Sequence, residues 1–402
     1  MERVLVTGLG VVSCLGSDLE TYWSGLLGAA SKPAPVDDPD ARMKNRLLYG
    51  IGPVPPPPTD GAGRPGRTST FAVHAGAAAL RDAGLLADDG RLASDGAVDR
   101  GRVGVAVGTG VGDCSLPERA RQDGVVPDGL DTFPFKVGSV VASQLALGGP
   151  MVSVSTACSA SAYSVSLAVD MIRDGQADVV LVGGADGYTR VGVACFNRLG
   201  ALDPERCRPF DARRKGTIFG EGAAFLVLES ESHAHRRARD RYYGVVEGAG
   251  WSCDGHHATA PEGGARQIVR AMQTALAEAE VEPEDVGCVI PHGTGTPLND
   301  VVESRALHQA LGPAAATLPV YSLKTLLGHT GGAAGAFGLL TASLILDRGV
   351  IPPNMPLDEP DPECALELPC GEPLAAEPEH VLVNAYAFGG NNISVVVGRG
   401  DR

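Results

Sequence analysis

Short apolar runs punctuated by glycine, each followed by a helix-length segment, recur along this 402-residue chain, and the pattern starts again near residue 240. Val4 to Val12, Val103 to Gly108, Val152 to Thr156 and Ala177 to Gly184 read as buried strands, with Ala223 to Glu229 after them. Asp18 to Leu27, Thr70 to Gly84, Val137 to Leu147 and Ala157 to Ile172 read as helices. The restart supplies strands at Tyr243 to Gly250, Val286 to Pro291 and Val320 to Ser322, and helices at Gly264 to Glu280, Asp300 to Leu311 and Gly331 to Arg348. A hairpin from His380 to Val397 closes the chain. Strands alternating with helices require an α/β fold, because each strand needs a helix to cover it. The restart makes the fold a doubled one. The Arg- and Asp-rich turn from Arg236 to Tyr242 is the expected boundary, dividing the chain into 1–240 and 241–402.

Composition removes several function classes. Hydrophobic residues are 44 % and charged residues 20 %, the profile of a globular protein. With 33 basic against 48 acidic residues the net charge is −15, which repels a phosphate backbone, so nucleic acid is excluded as a partner. The longest apolar run, Ala333 to Leu346, falls short of the ~20 residues a spanning helix needs. The chain opens on Met1-Glu2-Arg3 without a secretory pattern, so neither a membrane nor export is expected, and the expected location is cytoplasmic. The 9 cysteines include no CxxC pair, so neither a disulfide framework nor a metal site is indicated. Gly8-Leu9-Gly10 follows a strand but lacks the third glycine of a dinucleotide loop. Pro53 and Pro55 to Pro58 are expected to form extended polyproline on the surface.

Three clusters carry chemistry. Ser155-Thr156-Ala157-Cys158-Ser159 places a thiol where a strand ends and a helix begins, and a helix N-terminus lowers a thiol pKa. The bland alternative is a buried structural cysteine. His292-Gly293-Thr294-Gly295-Thr296-Pro297 puts an imidazole at a strand's carboxyl end, where α/β proteins bind ligands; a capped loop histidine is the alternative. Ser322-Leu323-Lys324 with Gly328-His329 holds one of only five lysines, the other basic residues being arginine. It lies between an apolar strand and a Gly/Ala helix, although a snorkelling side chain would look the same.

With Val6-Thr7-Gly8-Leu9-Gly10, Arg208-Pro209-Phe210-Asp211, Gly220-Glu221-Gly222 and Ala387-Phe388-Gly389-Gly390-Asn391-Asn392, these motifs run nearly end to end. In that order they resemble the elongating, decarboxylating β-ketoacyl-acyl carrier protein synthases. The resemblance implies a thiolase-like α/β fold: two duplicated βαβαβαββ halves in a five-layered αβαβα arrangement, normally dimeric. It implies a decarboxylative Claisen condensation in type II polyketide or fatty-acid biosynthesis. Cys158 would be the acylated nucleophile, and His292 and His329 would stabilise the malonyl enolate. Cys158 and Phe388 would give their backbone N–H groups to the oxyanion hole, and Phe388 would gate the pocket. Thr294, Thr296 and Thr259 would line the pantetheine arm, with Gly389 and Gly390 allowing close backbone approach. No cofactor of its own is implied, since the phosphopantetheine belongs to an acyl carrier protein partner. The second subunit would be another copy or a ketosynthase-like partner. The alternatives are a chain-length-determining partner subunit of a heterodimer and an acyl-transferring ketosynthase with weak decarboxylation. Val111, Phe133 and Phe196 are candidates to face the acyl tunnel.

One position departs from the family. A glutamate that pairs with the lysine usually lies nine positions after the second histidine, where this chain has Gly338. Asp300 or Glu303 is then the expected partner of Lys324, and a glutamate at 338 is expected to be tolerated. Arg198, Arg206, Arg208, Arg213, Arg214 and Lys215 form a basic cluster on an acidic chain, the expected dock for an acidic carrier protein. A solvated loop is the plain alternative.

Overall fold

The computed structural model describes residues 2–38, 43–56, 65–87, 92, 98–124 and 133–400. Its main strands are β1 (Val4–Val12), β2 (Val103–Gly108), β3 (Met151–Val154), β4 (Val179–Asp186), β5 (Gly222–Ser230), β6 (Gly244–Cys253), β7 (Val286–Ile290), β8 (His380–Ala387) and β9 (Asn391–Gly398). They are hydrogen-bonded in the order β7-β8-β9-β6-β1-β5-β4-β2-β3.

That order is one pattern written twice. The first half contributes β3-β2-β4-β5-β1, with parallel ladders at β3–β2 and β2–β4 and antiparallel ladders beyond. The second contributes β7-β8-β9-β6, again parallel first and antiparallel after, and a parallel bridge from Val289 to Val320 stands where a fifth strand would be. The halves meet through a short ladder between β1 and β6, with Leu5 opposite Val245 and Val6 opposite Gly244.

Helices cover both faces. The main ones are α1 (Leu19–Gly28), α2 (Arg67–Asp82), α3 (Phe135–Gln144), α4 (Ala160–Arg173), α5 (Arg190–Leu199), α6 (Arg266–Ala279), α7 (Pro297–Leu311) and α8 (Ala334–Arg348). One apolar cluster joins Val165, Val169 and Ile172 of α4 to Phe337, Leu340 and Leu344 of α8 between the two halves. A second packs α2 and α3 on the outer face of the first half, and a third packs α6 and α7 on the outer face of the second. The result is five layers, α, β, α, β, α. It explains why α8 is buried continuously from Gly335 to Leu346, since a helix with a sheet on each side has no polar face to present.

Glycine sets the closest approaches. A Cβ at Gly10 would stand 2.1 Å from the Ala75 carbonyl of α2, so the Gly8-Leu9-Gly10 run serves helix–strand packing. A Cβ at Gly335 would stand 2.7 Å from Ala162 Cβ and 2.8 Å from its nitrogen, so α8 and α4 touch backbone to backbone.

Most expected elements fall within a few residues of their expected bounds. Some details differ, among them an additional helix over Ser115–Asp123. Val320 makes a single bridge instead of a strand. Helix α5 was not anticipated, because Arg190–Leu199 buries only Val193; its Thr189 cap, accepting from Gly192 N at 3.1 Å, is what starts it. The segment around Cys158 is a tight 3-10 turn, Ala157–Ser159, before α4 begins. Pro53, Pro55 and Pro56 are exposed coil, while Pro57 and Pro58 lie outside the described residues. Among the described residues no helix is long and apolar enough to cross a membrane.

The Gly335 contact generates a prediction. Gly335→Val forces α8 away from α4 and should cost about 1–3 kcal/mol of stability by overpacking. A shift in the urea midpoint at unchanged slope checks it.

Candidate active site

The chemistry-bearing residues all follow carboxyl ends of strands toward the two edges of the sheet. Cys158 comes four residues after β3, His292 two after β7, Lys324 and His329 after the Val320 bridge, and Phe388 directly after β8. Ala157 takes a left-handed backbone, with φ 50°, which turns the chain sharply into α4 and leaves Cys158 at its mouth.

Geometry brings the thiol and both histidines together. Nε2 of His329 lies 3.0 Å from Cys158 Sγ. The His292 and His329 rings stand nearly perpendicular, 87°, with centroids 5.6 Å apart. Nδ1 of each ring is buried without a hydrogen-bond partner, so a proton there would be a stranded donor; the Nε2–H tautomer avoids this in both rings. Burial and the nearby Lys324 charge hold both imidazoles well below their ordinary pKa. They are therefore neutral donors.

The helix end does not decide the state of the thiol. Burial pushes Cys158 up to about 11, against the pull of Lys324 and of the Cys158 and Phe388 backbone N–H groups, and with a further push from Asp186. The expectation of a thiolate favoured by the helix terminus is corrected: desolvation outweighs it and favours the protonated sulfur. Those two N–H groups nevertheless converge on the sulfur, which is where an oxyanion hole for an acyl-cysteine belongs.

Lys324 is buried, and its ammonium donates to the His292 carbonyl. Among the described residues no carboxylate reaches it as an ion-pair partner, which corrects the expectation for Asp300 and Glu303. Glu303 instead accepts from the backbone N–H groups of His292 and Gly293, both at 2.7 Å. Asp300 accepts from Phe210 N at 2.8 Å and Gly295 N at 3.2 Å, and sits 3.7 Å from Arg214. Both carboxylates brace the loop that carries His292, and Glu303 acts on Lys324 only through its field.

A cavity of about 350 Å³ contains Cys158, His292 and His329 and opens past Thr259, Thr294, Thr296, Leu199, Leu298 and Phe388. Thr294 and Thr296 hydroxyls are 2.8 Å apart. Gly389 and Gly390 have φ of 84° and 76°, and Gly389 N donates to the Ala258 carbonyl at 2.8 Å, pinning the loop after β8 to the Thr259 segment. Phe196 of α5 stacks on Phe388, 5.2 Å between centroids and 15° between planes, and also lines the cavity. Val111 and Phe133 do not line it; Phe133 is exposed and stacks on Phe135.

The family described as "Beta-ketoacyl synthase, N-terminal domain" matches residues 58–234, and "Beta-ketoacyl synthase, C-terminal domain" matches 243–358. The chain belongs to the β-ketoacyl synthase family. It is 33 % identical over 410 residues to "Nodulation protein E" of Rhizobium meliloti (strain 1021), covering 97 % of this chain and 98 % of that one. It is 31 % identical over 413 residues to "3-oxoacyl-[acyl-carrier-protein] synthase 2" of Synechocystis sp., covering 98 % and 97 %. Among solved structures, "The ishigamide ketosynthase/chain length factor" matches with a TM-score of 0.88 at 34 % identity over 99 % of each chain. The fold is that of the thiolase-like ketosynthases.

Two further expectations need correction in this ketosynthase. Of the basic cluster, Arg208 is buried among Asp203, Glu205 and Asp358, and Arg214 is buried against Asp361 and the carbonyls of Asp211 and Pro297. They are structural ion pairs. Arg206 is half-buried and tied to Asp358 at 2.7 Å; Arg198, Arg213 and Lys215 are exposed, Arg213 lying 3.7 Å from the same Asp358. Gly338 is not an open place for a glutamate either: a Cβ there would meet Val383 Cγ1 at 2.7 Å. The void beside it, lined by Lys324, His292 and Asn384, measures about 20 Å³, room for roughly one water.

Sequence reading missed Phe219, whose ring lies parallel to His329, 4° between planes and 6.1 Å between centroids. Its position directly before Gly220-Glu221-Gly222 was the available signal. Leu199 and Leu298, more than half exposed at the cavity mouth, carried none.

Gly338→Glu is expected to lower the melting temperature and to depress condensation, because the side chain has neither volume nor a relaxed Cβ position. Adding Val383→Ala should recover part of the melting temperature. Wild-type stability in the single variant would refute the steric reading.

Proposed function

We propose that this chain catalyses decarboxylative condensation through Cys158, with His292 and His329 as enolate stabilisers. The observation that carries it is the 3.0 Å contact between His329 Nε2 and Cys158 Sγ, with a second neutral imidazole facing the same cavity. A chain-length-determining partner subunit has no use for such a thiol. In the first step Sγ attacks the carbonyl carbon of a carrier-bound acyl thioester, the pantetheine sulfur leaves, and the thiol proton departs with it. The Nε2–H of His329 and the field of Lys324 favour the developing thiolate.

In the second step the malonyl unit enters along Thr294, Thr296 and Thr259. Its carbon–carboxylate bond breaks, CO₂ leaves, and the electron pair becomes an enolate held by Nε2–H donors of His292 and His329. Neutral donors suit this, since they stabilise charge where it develops without first drawing the substrate's own carboxylate. The enolate carbon attacks the acyl-cysteine, whose oxyanion is held by the Cys158 and Phe388 N–H groups; the carbon–sulfur bond then breaks, and Cys158 leaves as a thiolate that takes a proton from water. Phe388, stacked on Phe196, gates the passage past Gly389 and Gly390.

The same reading takes 1–240 and 241–402 as the two ketosynthase halves and places the enzyme in the cytoplasm. It uses an acyl carrier protein as partner and pairs with a second copy or a ketosynthase-like subunit. The exposed Arg198, Arg213 and Lys215 would meet the carrier protein's acidic surface.

Incubation with acyl- and malonyl-carrier proteins, followed by intact mass, tests the assignment. Cys158→Ala should show no acyl adduct. His292→Ala should keep the adduct and lose condensation by ~10²–10³. An adduct surviving Cys158→Ala removes the mechanism. Separately, Arg213→Glu with Lys215→Glu should raise KM for carrier-bound substrates and leave iodoacetamide alkylation of Cys158 unchanged.

A further inference from the structure

The last residue of β4, Asp186, is a buried carboxylate that none of the steps above uses. Its Oδ1 accepts from Thr109 Oγ1 at 2.8 Å and from Val111 N at 3.3 Å, and its Oδ2 accepts from Gly110 N at 2.8 Å and from Gly332 N. Among the described residues no cation pairs with it. Thr109 to Val111 form the loop after β2, and Gly332 lies in the turn after His329, just before α8. One side chain therefore ties two loops from different halves of the molecule.

The backbone is arranged around that carboxylate. A Cβ at Gly331, where φ is 58°, would lie 2.5 Å from Asp186 Oδ2, and a Cβ at Gly332 would lie 2.4 Å from Gly110 N. With so little space, any change in the carboxylate moves the turn that begins with His329.

We propose that Asp186 is a positioning residue for condensation: its four accepted hydrogen bonds fix the turn after His329 against the loop after β2, and so set the His329–Cys158 distance. Burial pushes the Asp186 carboxyl up to about 6; above that pH its charge has a second effect, opposing Lys324 at the sulfur and helping to hold Cys158 as a thiol. The groups bearing on Cys158 are thus Lys324, the two neutral histidines and Asp186. This inference rests on the condensation mechanism proposed above.

Asp186→Asn tests it. The amide is nearly isosteric, but one oxygen becomes an NH₂ facing two donors, so two hydrogen bonds are lost to donor–donor contact. The variant is assayed as full-length protein for condensation, and the pH profile of Cys158 alkylation by iodoacetamide is followed by intact mass. The expected result is a loss of kcat on the order of a hundredfold, the cost of a misplaced catalytic group, with KM for carrier substrates unchanged. The alkylation profile should move to lower pH, since a negative charge near the thiol has gone; a merely structural loss would not move it that way. Unchanged kcat, or a profile that stays put or moves up, overturns the proposal. Should Asp186→Asn fail to fold, Thr109→Val removes one donor and should lower kcat while Thr109→Ser preserves it; a Val variant equal to wild type is equally fatal. An inactive wild type would instead discard the condensation mechanism, while the alkylation shift would still test the charge effect.

Discussion

The site depends on how closely α4 and α8 approach. Gly335 lets the α8 backbone touch Ala162 of α4, and the Ser161 hydroxyl accepts from Ala336 N at 2.8 Å, locking the two helices in register. Cys158 precedes α4 and His329 precedes α8, so this contact between helix starts sets the distance between thiol and imidazole. The duplication makes the arrangement natural: each half delivers one central helix with a loop at its N-terminal end, and the two loops face each other where the halves pack. A nucleophile from one half then meets the histidines of the other without any long flexible connection. Rigid elements hold the geometry that proximity catalysis needs.

Burial governs the electrostatics of the assembled site. In water a cysteine beside a lysine and a histidine would lose its proton readily, and a histidine near a carboxylate would gain one. Here the rings, the ammonium and the sulfur are all desolvated, so each is pushed toward its neutral form, and Lys324 further disfavours charge on either imidazole. The outcome is two neutral N–H donors and a protonated thiol at rest. Such a site stabilises anions only when chemistry creates them, first on the sulfur and then on the enolate oxygen. Preorganised donors of this kind need no rearrangement at the moment of reaction.

Much of this was legible in the sequence because strand–helix alternation and glycine punctuation are local signals. β1, β2 and β7 are apolar runs with turn residues at each end, and Cys158, His292 and His329 stand within a short loop or turn of such runs. What could not be read was three-dimensional. The partner of Lys324 is a main-chain carbonyl, which no residue identity announces. Arg208 and Arg214 look like surface charge in a row of basic residues, yet Asp203, Asp358 and Asp361, the last two about 150 positions away, fold over them. Gly338 reads as a vacancy for a longer side chain, but Val383, on a strand of the second half, fills the space in front of it. The contacts to Asp358, Asp361 and Val383 join residues far apart in sequence.

The acidity of the chain bears on the remaining problem, how an acidic carrier protein approaches. A net charge of −15 repels such a partner at long range, and three exposed cations do not reverse that field. At contact the balance changes, because fields fall off within a Debye length of about 8 Å at physiological salt and only the charges at the cavity mouth matter. There Leu199 and Leu298 expose apolar surface around the opening that leads to Cys158, next to Arg198 on the same turn of α5. Leucines flanked by arginine favour a partner that brings both an apolar contact and acidic residues. Affinity then comes from desolvating the leucines, and orientation comes from the cations. Arg208 and Arg214, held inside by their aspartates, brace the loop that carries the exposed Arg213 and Lys215.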